Sequence, residues 1–546
     1  MHRWLLLSLL LLFLALSLYQ LDLPGLHYDE AFEAVPTMQL LRRQPTQPFR
    51  NSAITLFGRQ FPLTTQDYIG ALNTYGLLPF VALGGPTTIS LRLYSLAIAL
   101  ATLWLAYGFT VYFSHSQPAG LVTVAWLAVN PTFIFWSRQG IFVTAITTLI
   151  GLAAAWSWLA WWRTGRYRFA WLGAFLFGLG LYAKLLFIWL VGAMVVIFGL
   201  TALAKRLSSG QLWRQTGLSI SRLAGLLLAG ALGCWPLILY NLQTGGTFKS
   251  IAENADVSYY GVNNADILTN LGQRIEQFGI LLSGGHLWYL GDVYANILAV
   301  AIFVILFLAG LGLTWPVGKR AKPAEAKILL PYLLIGLVLL QSVMTVSALW
   351  ITHFALLMVW PAIALAVTWA HLAGRFQQRR LLKAGLYLLL GLLLVGELRA
   401  TLSYHQALAR SGGLGSHSDA VYDLATWLQD NQTAPAIAMD WGLAAPVIYL
   451  SGGAVNVVEV FGYGWQTNDR FNQFIEPHLT PQAAIFLWRA PDEIIFDRSE
   501  AFKAIYRPQQ LEETILAAFY ERSGRPIIGA TQLVPVGTAE NKPVEP

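Results

Sequence analysis

The chain has 546 residues; 56% are hydrophobic and 12% carry a formal charge. Soluble proteins carry about 25% charged residues, so the composition excludes an ordinary water-soluble enzyme, and 13% aromatic residues exclude intrinsic disorder. The 48 glycines follow no period and Cys234 is the single cysteine, which excludes a collagen-like or disulfide-framed chain and leaves a polytopic membrane protein. The net charge of +7 is uneven: residues 1–400 hold 26 bases and 12 acids, residues 401–546 hold 9 and 16. That split predicts two domains in different environments, 1–400 in the membrane and 401–546 outside it. The bases sit in short clusters between apolar runs, which does not suit a nucleic-acid partner.

A bilayer core about 30 Å thick needs about 20 apolar residues of helix. Such runs lie near 4–21, 90–113, 118–136, 141–161, 168–183, 185–204, 221–241, 294–314, 328–346, 349–372 and 383–398, or about eleven spans. The first run, after His2 and Arg3, competes with a signal-peptide reading that ends at Ala15-Leu16-Ser17; its apolar character continues past Ser17, so it is read as a retained span. Loops rich in Lys and Arg stay cytoplasmic. Four such loops, with Arg163, Arg166 and Arg168, with Lys205, Arg206 and Arg214, with Lys319, Arg320, Lys322 and Lys327, and with Arg375, Arg379, Arg380 and Lys383, fall on one side. A cytoplasmic N-terminus in a cell membrane then follows, and loops 22–89 and 242–293 and the C-terminal domain lie outside.

That domain reads as α/β. SDAVYDLATWLQDN and LEETILAAFYER are expected to be helices, and AIAMD, VNVVEV, AAIFLWR and RPIIGATQLV strands. The last stretch, GTAENKPVEP, is expected to be disordered. Asn431-Gln432-Thr433 has the form of a glycosylation sequon, a triplet common by chance.

Carboxylates are scarce in the membrane part. Asp29, Glu30 and Glu33 follow the first span in LHYDEAFEA, and after Asp67 no acid occurs until Glu253. Acids at a helix start complement its dipole, yet any outer-face chemistry that needs a carboxylate must draw on this loop or on 242–293. The second loop is rich in aromatics, Tyr259, Tyr260, Trp288 and Tyr289, with His286 and Asp292; these suit sugar stacking and equally suit a membrane interface.

The DEA motif after a first span resembles the first loop of GT-C membrane glycosyltransferases, in particular the protein O-mannosyltransferase and aminoarabinose-transferase family. SLRLYSLAIAL with Arg92, NPTFIFWSRQG with Arg138, GLGLYAKLLF with Lys184 and THFALLMVWPAIALA with His353 follow in the family's order over residues 5–370. The resemblance implies an all-α polytopic GT-C membrane fold with the C-terminal α/β domain. It implies a sugar donor on polyprenyl phosphate and a lipid, glycan or protein acceptor. By resemblance Asp29 is the base, Glu30 a helper or substrate ligand, Lys184 and His353 candidate ligands of the donor phosphate, and Arg138 a donor contact; the competing readings are snorkelling for Lys184 and a hydrogen-bonded packing role for His353. Arg92 is read as anchoring its span at the interface. Val143 stands where the family often has an acid, so the presence of a divalent metal stays open; Asp67 is the substitute carboxylate if the first loop folds back. A transporter or flippase of lipid-linked sugars is the rival class, and a catalytically silent relative the third. Coupled transporters place ionisable groups mid-membrane, whereas the spans between 90 and 241 contain no acid.

Overall fold

The computed structural model describes residues 2–209, 219–257, 261–314, 327–344, 350–431, 434–462 and 467–538. Arg214, Lys319, Arg320, Lys322, Tyr259, Tyr260, Gln432, Thr433 and 539–546, with the side chains of Lys205 and Arg206, lie outside the described residues.

Each of the eleven apolar runs is helical over most of its described residues. In chain order they begin with α1 (His2–Leu18); outside it follow α2 (Tyr28–Arg42), the hairpin β1 (Ala53–Leu56) and β2 (Arg59–Pro62), the hairpin β3 (Thr64–Gln66) and β4 (Ile69–Gly70), and the short helices α3 (Leu72–Gly76) and α4 (Leu78–Gly84). Then come α5 (Thr88–Ser114), α6 (Gln117–Val129), α7 (Pro131–Arg138), α8 (Ile146–Thr164), α9 (Tyr167–Ala183) and α10 (Ile188–Ser209). Among the described residues three helices are long and apolar enough to cross a membrane, Thr88–Ser114, Leu185–Leu203 and Arg380–Ser411; the number is six if the three sharply bent pairs count as one span each. The α6–α7 pair bends by 66° at Asn130, where Pro131 cannot continue the ladder and the Asn130 side chain caps α7. Near that bend Glu397 accepts hydrogen bonds from the amides of Asn130 (2.9 Å) and Asn296 (3.2 Å), which ties three helices through one buried carboxyl group.

The helix Arg380–Ser411 carries the chain past residue 400 before Gly412, at φ +69°, ends it. The C-terminal unit beyond has a five-stranded sheet, β5 (Ala436–Ala438), β6 (Val457–Glu459), β7 (Ile485–Arg489), β8 (Leu511–Tyr520) and β9 (Pro526–Pro535), in the order β6-β5-β7-β9-β8. Strands β5, β6 and β7 are parallel, and β8 and β9 join antiparallel. The helix Ala420–Asn431 and the four expected strands form as the pattern predicts. LEETILAAFYER does not: it is β8, not a helix. Its Leu, Glu and Ala favour helix by small increments per residue, but pairing from Leu511 against Pro535 to Tyr520 against Pro526 outweighs that preference.

Helix α2 is held from both sides. Leu26, Tyr28, Ala31, Ala34 and Met38 pack in one buried cluster with Leu91 and Tyr94 of α5 and with Val421, Ala445 and Tyr449 of the C-terminal unit. Beneath it Glu30 and Arg92 form an ion pair at 3.3 Å, both side chains without solvent exposure. Removing one partner of a buried pair costs about 3–5 kcal/mol, because the other charge is stranded. Arg92→Met is therefore expected to lower the thermal midpoint in detergent by several degrees, and Glu30→Gln combined with it to recover part of the loss; equal midpoints for wild type and Arg92→Met would contradict the pair's role.

Candidate active site

The first turn of α2 sets the carboxylates apart by direction. His27 is the N-cap: its Nδ1 accepts the Asp29 N–H at 3.2 Å, and Glu30 reaches back to the His27 N–H at 3.4 Å. Glu30 turns inward, where Arg92 and the Gln139 amide (3.2 Å) donate to it. Asp29, one residue earlier, turns outward and keeps 39% of its side-chain surface. It is nevertheless hemmed in by protein, as a group lining a recess is, and burial lifts it to about 6; Glu30 adds to the rise and Lys184 opposes it. Burial also lifts Glu33, to about 8, although the Asn73 amide donates to it at 2.8 Å. At neutral pH Glu33 is protonated and Asp29 is largely ionised. His27, held down to about 3 by burial and by Arg489, is neutral, so its 3.9 Å approach to Asp29 is no ion pair.

Lys184 stands at the break between α9 and α10, in extended backbone at φ −159°. The loop before α5 straps it there. The Leu185 N–H donates to the Tyr68 carbonyl at 2.9 Å, and the Tyr182 hydroxyl donates to the Leu63 carbonyl at 3.0 Å while accepting the Ala71 N–H. The loop does fold back, therefore, but its acid does not reach the recess. Asp67 receives two bonds from Arg50, at 2.8 and 2.7 Å, and one from the Tyr240 hydroxyl. Lys184 Nζ lies 3.5 Å from the Thr144 hydroxyl and within charge range of Asp29 and Glu33. His353 also lies within charge range of Lys184, and of Arg274; its Nδ1 accepts the Trp350 N–H at 2.9 Å, which leaves the ring's far edge for another partner.

The structure thus groups Asp29, Lys184 and His353, and adds Glu33 and Arg274. It directs Glu30, Asp67 and Arg138 elsewhere. Arg138 is fully buried and donates to the carbonyls of Gln20 and Leu23 (2.8 Å), so it fixes the chain between α1 and α2. Arg92 lies inside, on Glu30, and not at an interface. Val143 is buried in the main apolar core, and the adjacent Thr144, at φ +55°, carries the side chain that meets Lys184. Of the second loop's aromatics, Tyr289 stacks on His417 at 4.0 Å and Trp288 is exposed, while His286 packs on Trp136. Arg274 went unread in the sequence; its signal is a single base on the buried face of ILTNLGQRIEQFGILLS, where it is 1% exposed. Among the described residues no three His, Cys, Asp or Glu side chains gather into a metal-holding group.

No protein-family model and no curated protein matches this chain. Two solved structures do, over nearly their whole length. ArnT from Cupriavidus metallidurans in the apo state superposes with a TM-score of 0.60 at 12% identity, covering 96% of each chain. The same protein bound to undecaprenyl phosphate superposes at 0.59 with 11% identity, covering 97% of each. The chain therefore has the fold of ArnT, C-terminal domain included.

Asp67→Ala is expected to release the strap without unfolding the membrane helices. Limited proteolysis between residues 44 and 70 should quicken several-fold, with an unchanged thermal midpoint of the remainder; unchanged cleavage would contradict the strap.

Proposed function

We propose that this chain is an integral membrane glycosyltransferase. It moves one sugar from a polyprenyl-phosphate donor to an acceptor hydroxyl on the extracytoplasmic face, with inversion, Asp29 serving as base. The observation that carries this reading is the juxtaposition of one open, ionisable carboxylate, Asp29, with Lys184, in a fold that ArnT shows with undecaprenyl phosphate bound. In direct displacement the acceptor oxygen attacks the anomeric carbon as Asp29 takes its proton, and the sugar–oxygen bond to phosphate breaks on the opposite face. Lys184, with His353 and Arg274 behind it, would stabilise the departing phosphate by charge-assisted hydrogen bonds. Protonated Glu33 keeps the site from holding three adjacent negative charges once the phosphate enters. The N-terminus is cytoplasmic and the C-terminal domain outside in this reading, as the loop charges require.

The test uses purified protein, radiolabelled polyprenyl-phosphate sugars and membrane acceptors. Wild type should transfer label and Asp29→Asn should lose at least about 100-fold, the usual share of a general base. Absence of transfer from every donor would sink the enzyme reading, and equal transfer by the variant would remove Asp29 as base.

The pH profile gives an independent check. Asp29 must be ionised to act, so kcat/KM should fall as pH drops through about 6 and level off above it. Because Lys184 holds Asp29 down, Lys184→Met should move that acid limb to higher pH. It should also weaken undecaprenyl-phosphate binding roughly 10–100-fold, the value of one hydrogen bond to a charged group. A limb that stays in place would show that the two residues do not interact. Since Asp29 sits above its ordinary value in the folded chain, its ionisation lowers fold stability as pH rises from about 4 to 6, while transfer increases over the same window.

A further inference from the structure

The carboxyl edge of the C-terminal sheet packs on the turn of α2 that carries Asp29. From β5 the chain crosses to β6 on one side, then returns past β5 to β7 on the other. In open α/β sheets, ligands bind outside the carboxyl ends of the strands at such a reversal. Four side chains stand at that edge here: Asp440 and Trp441 just after β5, Glu459 at the end of β6 and Arg489 at the end of β7.

Two of the four are engaged in building the edge. Asp440 accepts the N–H groups of Trp441, Ile495 and Phe496 at 2.7–2.9 Å. Arg489 donates from Nε to the Trp441 carbonyl at 2.7 Å. Its guanidinium presses on Gly442, at φ +92°, where a Cβ would lie 2.2 Å from Nη2. Together they fix the Trp441 backbone. The other two remain open: the Trp441 indole is half-buried and Glu459 is exposed. Both meet the turn that carries Asp29. The Tyr28 hydroxyl donates to Glu459 at 3.2 Å, the Tyr28 ring lies 4.8 Å from the Trp441 ring, and the His27 ring lies 5.6 Å from it.

An aromatic face beside a carboxylate suits a sugar. The C–H face of a pyranose stacks on indole, and a carboxylate accepts its hydroxyl protons with more strength than a neutral group. In the proposed transfer the donor's phosphate lies with Lys184 and His353, while this pair meets the first turn of α2 through Tyr28 and His27. We infer that Trp441, Glu459 and Tyr28 form an acceptor subsite that takes a hydroxyl-bearing sugar residue and aims one hydroxyl at Asp29. The C-terminal domain then supplies part of the active site and selects a glycan-bearing acceptor over a peptide. This inference rests on the glycosyltransferase reading for its direction, and on the sheet edge for its position.

The experiment uses full-length protein in lipid nanodiscs. Saturation-transfer NMR is recorded with methyl β-glucoside, methyl α-mannoside and methyl β-galactoside, and separately with a Ser/Thr-rich peptide. Undecaprenyl-phosphate affinity is measured on the same samples. Wild type and Asp29→Asn should both transfer saturation to at least one glycoside. Trp441→Ala and Glu459→Gln should weaken that contact at least about tenfold, Trp441→Phe should retain most of it, and undecaprenyl-phosphate affinity should stay within about twofold in all three, which shows an intact fold. No glycoside contact in wild type, contact with the peptide alone, or glycoside binding unaltered by Trp441→Ala would overturn the subsite. Glycoside binding that depends on Trp441 in a protein that transfers no sugar would fail the enzyme reading while the subsite stands.

Discussion

Glu30 and Arg92 meet where no water reaches either, and that contact decides where Asp29 points. Each ion gives up several kcal/mol of hydration on burial, and the recovery comes from hydrogen bonds on both: Arg92 and Gln139 donate to the carboxylate, and the Leu21 and Gly25 carbonyls accept from the guanidinium. The pair locks the first turn of α2 to α5. With residue 30 fixed inward, residue 29 projects outward, beside Lys184. Two adjacent carboxylates thus acquire different jobs from one geometric constraint: one holds the fold, the other stays ionisable and open.

The same division recurs around the recess. Asp67 and Arg138 carry charge at the outer end of the membrane part, and both are used to hold backbone: Asp67 to strap the loop over Lys184, Arg138 to grip the chain before α2. The C-terminal domain closes the arrangement from the third side, since α2 packs in one apolar cluster with α5 and with the helix Ala444–Leu450. A recess walled in this way explains why Asp29 keeps open surface and yet is lifted toward neutrality. That is the state the proposed role of Asp29 as general base needs: ionised at working pH without being too weakly basic.

Scarcity made part of this legible in the sequence. Between Asp67 and Glu253 there is no acid, so Asp29 and Lys184 stood out, and both fall in the recess. The helical runs could be read from periodicity; the direction of a side chain could not. Nothing in DEA tells Asp29 from Glu30, because the difference lies in a partner 62 residues away. Arg138, Asp67 and Arg92 were read as functional or interfacial for the same reason: a charged side chain near a span end looks alike whether it meets a substrate, a lipid head group or a carbonyl. The helix expected in LEETILAAFYER failed because propensity is local and the hairpin with β9 is not. Arg274, Trp441 and Glu459 each sit in an unremarkable local pattern, and only the tertiary fold brings Arg274 within charge range of His353 and the other two to α2.

In the proposed transfer the phosphate of a polyprenyl phosphate lies at Lys184, across from Asp29. An experimental structure of the protein with undecaprenyl phosphate tests this most directly. Phosphate density is expected within hydrogen-bond distance of Lys184 Nζ and on the side of His353, with the Asp29 carboxylate facing it. Phosphate density at the opposite end of the helices, among Arg163, Arg166 and Arg168, with Lys184 uncontacted, would contradict it.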